Sequence, residues 1–267
     1  MSDTTLAWQV EETNFNAFPS LQQVVYRGWL LRFSKGRPRR TNNSAGPLQA
    51  NCAAVEDVIE GIEALYRRNW LPPLFRVPSF IPALYDRELA ARGYTSEGDS
   101  CVLYGSINQI DAVADPRVEL SPRATAEWLT TMGEFQGHSP EGRAIYQCVV
   151  GSIVVPVAFA GLRVDEGLAA LAYGAVHDGL LCYESVITDL RRRRQGLAGR
   201  IIASLAAWGR QQGAAGACLQ VEASNTPARN LYDRCGLRTE LYRYHYRRRL
   251  IEARDVPQGS ARSSHHS

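Results

Sequence analysis

Lysine is nearly missing from this 267-residue sequence: Lys35 is the only one, so arginine supplies the rest of the 30 basic residues. An arginine-favouring codon bias produces such a skew, so arginine clusters weigh less than usual as signs of a nucleic-acid surface. Also missing is any run approaching the ~18 apolar residues that a membrane span needs. Met1 to Val10 has neither the basic start nor the apolar stretch of a secretory leader, and a cytoplasmic location is expected. The six cysteines (Cys52, Cys101, Cys148, Cys182, Cys218 and Cys235) form no C-x-x-C pair. Most sit in apolar runs such as Leu180-Leu181-Cys182-Tyr183, where buried, reduced thiols are expected. His138, His177 and His245 have no Cys or His partner at ligand spacing, so no metal site is expected.

What is present is ordinary for a folded chain: 45% hydrophobic and 21% charged residues, with a net charge of +3. The length accommodates two domains. The stretch from Asn108 to Pro122, with Asp111, Asp115, Pro116, Ser121 and Pro122, reads as a connector, and the boundary is placed near residue 115. The expected division is 1–115, 116–252 and a disordered tail over 253–267.

In the first half, Trp29 to Phe33 alternates like a strand, followed by turn chemistry at Ser34-Lys35-Gly36-Arg37-Pro38. Val55, Val58, Ile59, Ile62, Leu65 and Tyr66 recur at helical spacing, ended by Pro72-Pro73. Phe75 to Val77 reads as a short strand, Tyr85 to Arg92 as a helix closed by Gly93, and Ser100 to Tyr104 as a strand. The second half opens with a helix around Ala126 to Phe135. Strands over 154–164, 169–176 and 180–188 follow, separated by Asp165-Glu166-Gly167 and His177-Asp178-Gly179, an antiparallel meander. A helix carrying Leu197, Ile201, Ile202, Leu205 and Trp208, a cap at Gly213, a strand over 218–221, a helix from Thr226-Pro227 to Gly236 and a strand over 242–246 complete the order.

Arg193-Arg194-Gln195-Gly196-Leu197-Ala198 lies where a strand hands over to a helix, so N–H groups of the loop and first helical turn converge. Such a turn suits a pyrophosphate. Gly196 allows close backbone approach, Ala198 keeps the helix start free of bulk, and the helix dipole favours an anion. Taken alone, Arg191 to Arg194 is also what a solvated basic run looks like. A second block follows: Asn225-Thr226-Pro227-Ala228-Arg229-Asn230-Leu231-Tyr232, then Gly236-Leu237.

With these two blocks in order, roughly residues 120–250 resemble the GNAT superfamily of N-acetyltransferases. The first matches its R/Q-x-x-G-x-G/A motif at Arg193, Gly196 and Ala198. The second is similar to N-x-x-A-x-x-L-Y-x-x-x-G-F, departing at Leu237, a packing position. The resemblance implies an α/β fold with a mixed (α+β) sheet, a GNAT fold in the C-terminal half and a smaller, degenerate GNAT-like N-terminal domain, as in two-domain bacterial relatives. It implies acetyl-CoA as co-substrate, held by Arg193, Arg194, Gln195, Gly196, Leu197, Ala198 and Gly199. The backbone of Val186, Ile187 and Thr188 would pair with the pantetheine arm like an added strand. Asn225 is a helix cap, a cofactor contact, or both.

An alkylammonium with a pKa near ~10.4 must lose a proton before attacking a thioester. Glu184, mid-strand just before the phosphate loop, is the candidate base, against the plainer reading of a solvated strand carboxylate. Tyr232 matches the family position that protonates the departing thiolate. Arg32, Arg39, Arg40 and Arg76 are candidates for a substrate carboxylate, or surface ion-pair formers. The expected acceptor is a primary amine, with a small molecule favoured over a protein N-terminus or lysine. Alternatives are a pseudoenzyme binding acyl-CoA as a regulatory ligand and a nucleic-acid binder using Arg191 to Arg194 and Arg247 to Arg249. Retention of Tyr232 and of the phosphate loop disfavours both; no membrane partner is expected, and homodimerisation stays open.

Overall fold

A computed structural model describes residues 3–34, 40–165 and 167–249. Among the described residues, seven α-helices and eleven strands run α1 (Asp3–Ala17), β1 (Gln22–Tyr26), β2 (Trp29–Phe33), β3 (Ala45–Pro47), α2 (Val55–Arg68), β4 (Leu74–Pro78), α3 (Ala83–Ala91), β5 (Thr95–Ser106), β6 (Val118–Ser121), α4 (Ala126–Phe135) and α5 (Pro140–Gly151). Then come β7 (Val157–Val164), β8 (Gly167–His177), β9 (Leu180–Thr188), α6 (Leu197–Gln211), β10 (Gly216–Glu222), α7 (Thr226–Arg234) and β11 (Thr239–Arg248).

The strands form one mixed sheet in the order β1-β2-β3-β4-β11-β5-β10-β9-β8-β7-β6. The last strand does not stay with its own half: β11 lies between β4 and β5, antiparallel to both. Strand β5 in turn pairs antiparallel with β10 from Gly216↔Ser106 to Glu222↔Ser100. The sheet therefore crosses the sequence connector near residue 115 at its centre. The meander β7-β8-β9 is antiparallel, as its turn chemistry predicts. Between β8 and β9 the two turn residues, Asp178 (φ 45°) and Gly179 (φ 72°), both take the left-handed conformation that matches the twist of a two-residue hairpin.

Apolar residues at helical spacing lay α6 on one face of the sheet. Leu197, Ile201, Ile202 and Leu205 pack there with Leu181, Tyr183, Ala217, Leu219 and Val221. On the other face, Ala7 and Val10 of α1 meet Cys182, Cys218, Val102 and the three tyrosines of β11, Tyr242, Tyr244 and Tyr246. Helices α2 and α3 cover β2 and β4, and α4 and α5 cover Phe159, Leu171 and Tyr173 of β7 and β8.

Strand β2 alternates in sequence, yet all five of its residues are buried. The reason is Arg32, whose guanidinium is enclosed and donates to the carbonyls of Thr41 and Phe18. Arg76 of β4 is enclosed likewise: it pairs with Glu11 of α1, donates to Tyr246 Oη at 3.3 Å, and lies 3.4 Å from the Tyr244 ring centroid. Tyr242 also donates to Glu11. A buried ion pair of this kind survives only because each charge meets partners; removing one partner typically costs ~3–5 kcal/mol.

Five elements go beyond the sequence expectation: strands β1 and β3 of the first half, and three others. Helix α1 has no apolar stripe, because its buried face includes Glu11, Thr13 and Asn14 alongside Ala7, Val10 and Phe15. Helix α5, capped by Ser139 Oγ accepting from Gly142 N, buries only Tyr146, Val149 and Val150. Within the expected connector, Val118–Ser121 forms the edge strand β6, paired with β7 along one side. The thiols also divide more than expected: Cys101, Cys182 and Cys218 are buried, Cys52 and Cys235 are half-buried, and Cys148 is exposed on α5. Lys35 to Arg39, Glu166 and the tail over 253–267 lie outside the described residues.

Candidate active site

Strand β9 changes character midway. Up to Cys182 it is paired on both edges, antiparallel to β8 and parallel to β10 through Leu180↔Gly216, Leu181↔Ala217 and Cys182↔Cys218. Beyond Cys182 the pairing with β10 stops, while β10 itself continues beside β5 to Glu222. Pairing with β8 continues to Thr188↔Ala170, with a bulge between the Leu171 and Tyr173 partners. Burial follows: Leu180 to Tyr183 are buried, and Glu184 to Thr188 are half-buried. Thus the backbone of Val186, Ile187 and Thr188 faces β10 without a ladder partner, and a strand edge in that state accepts an added extended chain.

The bulge centres on Ser185, whose φ of 55° is unusual for a residue with a side chain. Its Oγ accepts from Tyr146 Oη on α5 at 2.9 Å, a long-range contact with no signal in the sequence. Beneath Tyr146, the Trp128 ring lies nearly parallel at 6.4 Å between centroids.

After β9 the chain turns through Asp189, whose carboxylate accepts from the Arg191 N–H at 2.9 Å. Hydrogen bonds from Arg191 hold the Asp189 carboxyl below its usual range. Arg192 pairs with Asp165 at 2.7 Å, whereas Arg193 and Arg194 are exposed and make no ion pair among the described residues. Arg194 (φ 62°) and Gly196 (φ 75°) are both left-handed, and Gly196 caps α6 without a side chain to satisfy its first N–H groups. A Cβ placed on Gly196 would meet nothing within 4 Å, so the protein itself leaves this position open. Four unsatisfied donors at a helix start, a positive dipole end and two free guanidiniums fit a pyrophosphate. Of the residues expected to bind it, Leu197 is buried in the core, and Ala198 and Gly199 are half-buried on the first turn.

Asn225 caps α7, its Oδ1 accepting from the Ala228 N–H at 3.2 Å. About two turns later Tyr232 is buried, and its phenol is raised well above the usual range by desolvation first, then by the negative charge of Glu184 and by Cys235. A phenol so placed holds its proton at neutral pH. The two expected catalytic side chains therefore feel each other electrostatically, although they sit on β9 and α7.

Where β9 and β10 part, a cleft of about 210 Å³ opens, lined by Glu184, Gln220, Glu222, Ser100, Arg40 and aromatic walls from Phe18, Tyr244 and Tyr246. Arg40 donates to Glu222 at 3.2 Å. Of the proposed substrate-carboxylate arginines that lie among the described residues, only Arg40 lines this cleft. Arg32 and Arg76 are spent inside the first half, where burial pulls Arg32 down to about 10 while Glu11 keeps Arg76 charged. Arg39 lies outside the described residues. Gln220, Glu222 and Phe18 carry no sequence signal for the cleft, because only the pairing of β10 with β5 and the end of α1 bring them there. Among the described residues, no cluster of His, Cys, Asp or Glu could hold a metal, and no helix is long and apolar enough to cross a membrane.

Residues 4–250 match a protein family described as "Probable histone acetyltransferase Rv0428c C-terminal". The chain is 23% identical over 243 residues to "Uncharacterized N-acetyltransferase YobR" of Bacillus subtilis (strain 168), covering 90% of this chain and 97% of that one. Among solved structures it is similar to a GCN5-related N-acetyltransferase from Kribbella flavida, with a TM-score of 0.66 at 18% identity over 95% of this chain and 98% of that chain. It is also similar in fold to a tandem GNAT protein from the clavulanic acid biosynthesis pathway, with a TM-score of 0.61 at 11% identity over 77% and 74% of the two chains.

Proposed function

This chain belongs to the family described as "Probable histone acetyltransferase Rv0428c C-terminal" and is a GNAT-superfamily N-acetyltransferase, and from that premise we propose that it uses acetyl-CoA to acetylate a small primary amine in the cleft between β9 and β10. The observation that carries this reading is the parting of β9 from β10 directly before the left-handed Gly196 turn. One stretch of backbone there offers an unpaired strand edge and then a helix-start anion site.

Acetyl-CoA supplies the activated acetyl group, as a thioester. The first-turn N–H groups of α6, with Arg193 and Arg194, hold its pyrophosphate, and the edge of Val186, Ile187 and Thr188 holds the extended arm. Glu184 faces the cleft and takes a proton, directly or through water, from the ammonium that enters as the acceptor. The freed nitrogen forms a C–N bond to the acetyl carbon while the C–S bond breaks, and it then loses a second proton to solvent or to the Tyr232 oxygen to become the neutral amide. Tyr232, kept protonated by burial, gives its proton to the sulfur that leaves.

Thiol release from acetyl-CoA, followed across a panel of small primary amines, tests the reading. Amine-dependent release that disappears in Glu184→Gln supports it. Release indifferent to every amine, with acetyl-CoA bound, rejects the acceptor assignment.

A further inference from the structure

We infer that Gln220 makes the acceptor cleft selective for a primary ammonium over more substituted amines, an inference that rests on the acetyltransferase reading above. Side chains alternate across a strand, so Cys218, Gln220 and Glu222 share one face of β10. Cys218 belongs to the core beneath, and the next two positions line the cleft. Gln220 Oε1 is closed from solvent and meets no donor. Such an acceptor is costly to leave unmade, and native structures rarely do so without cause.

Three donors of the cleft wall are directed elsewhere. Arg40 is committed to Glu222, Ser100 Oγ donates to the Gly98 carbonyl at 3.0 Å, and Tyr246 Oη donates to Thr41 Oγ1 at 3.3 Å. The cleft thus offers acceptors: the carboxylate of Glu184, the carboxylate of Glu222 and the amide oxygen of Gln220. A half-turn about the last side-chain torsion exchanges the amide oxygen and nitrogen, so the oxygen can meet a donor arriving from either side.

A primary alkylammonium brings three N–H donors. One bond to Glu184 prepares the proton transfer, and the remaining two need acceptors of their own. A secondary ammonium carries one donor fewer and an added alkyl group, so after its bond to Glu184 a single donor is left for Gln220 and Glu222 together. A site built to hydrogen-bond a group discriminates strongly against an analogue that lacks it, because the buried partner is then left unpaired.

The experiment compares n-butylamine with N-methylbutylamine at saturating acetyl-CoA, in wild type, Gln220→Leu and Gln220→Glu, with melting of each protein free of ligand. Wild type is expected to favour n-butylamine. Gln220→Leu should lower kcat/KM for n-butylamine by about 5–20-fold and the preference over N-methylbutylamine by a similar factor, with acetyl-CoA affinity unchanged. Gln220→Glu, which keeps an acceptor, should retain most of the preference. Because leucine removes an unsatisfied acceptor, unliganded Gln220→Leu should melt no lower than wild type. An unchanged preference in Gln220→Leu, or a lower melting point with both amines equally affected, would overturn the inference while leaving the acetyltransferase reading intact. Acetyl-CoA binding without turnover of either amine would also overturn it. Loss of acetyl-CoA binding in wild type would instead remove the reading it rests on.

Discussion

Strands β4 and β9 each leave the sheet through a turn into a helix, but the two junctions are built in opposite ways. Strand β4 stays paired with β11 along its whole length and, although it meets β3 only at Ala45↔Phe75, is buried throughout. Its turn is filled with apolar matter: Phe80 packs edge-on against Trp8 and Tyr242, and Ile81 is buried. No residue from 79 to 82 takes a left-handed conformation, and Pro82 leads directly into α3. Strand β9 loses one partner after Cys182, and Ser185, Arg194 and Gly196 are all left-handed. Its turn carries arginines where the other carries aromatics. A strand-turn-helix unit becomes a ligand site where the protein leaves backbone groups and space unfilled; filling them gives only a core.

The largest way to break this contrast is to fill the open junction. Gly196→Val meets no protein atom within 4 Å, so its cost to folding is confined to the left-handed backbone, about 1–2 kcal/mol. Acetyl-CoA affinity should fall by about 100-fold or more, since the side chain would stand where the phosphate approaches. Calorimetry and melting on the same variant separate the two effects. Next is Tyr232→Phe, which should lower kcat by about 100-fold with acetyl-CoA affinity unchanged. Equal loss of binding in both variants would sink the division of roles.

Glu184→Gln should lower kcat/KM by about 10-fold near neutral pH and displace the rise of rate to higher pH, because deprotonated amine must then come from solution. An unchanged pH profile would remove Glu184 as the base. Tyr146→Phe removes the anchor of the Ser185 bulge and should reduce kcat by a few-fold. Ser185→Gly in that background should restore part of the loss, since glycine adopts φ 55° without support; a loss untouched by glycine would assign Tyr146 to packing alone.

The smallest effect sharpens the comparison from the closed side. Asp86 on α3 is held below the usual carboxylate range, chiefly by hydrogen bonds from Arg247 and then from His245, against a desolvation cost. A depressed folded pKa contributes stability above the unfolded value near ~3.9 and loses it as pH falls through the folded one. Asp86→Asn should therefore lower stability by about 1 kcal/mol at pH 7 and make little difference at pH 2. Acetyl-CoA binding at pH 7 should not change.

Legibility in the sequence tracked how local each signal is. The β8-β9 hairpin, α6 with its apolar stripe, and α7 between Asn225 and Gly236 are specified by nearby residues, and their bounds match the expectation closely. Gly196 and Asn225 stand where turn and cap chemistry place them. Helix α1 was invisible because it answers the buried charge of Arg76, sixty-five residues away, with Glu11 rather than with an apolar face. The cleft was half visible: Glu184 is named by its strand, whereas Gln220, Glu222 and Phe18 depend on strand order. Arg32 and Arg76 read as surface or substrate arginines because sequence shows their charge and not the carbonyls and carboxylate that enclose them.

The most direct test is calorimetric titration of the full chain with acetyl-CoA, in wild type, Gly196→Val and Tyr232→Phe. A single micromolar site that is kept in Tyr232→Phe and lost in Gly196→Val is the expected result. No heat at millimolar acetyl-CoA in wild type, or undiminished binding in Gly196→Val, would contradict the assignment of the open β9 junction as the cofactor site.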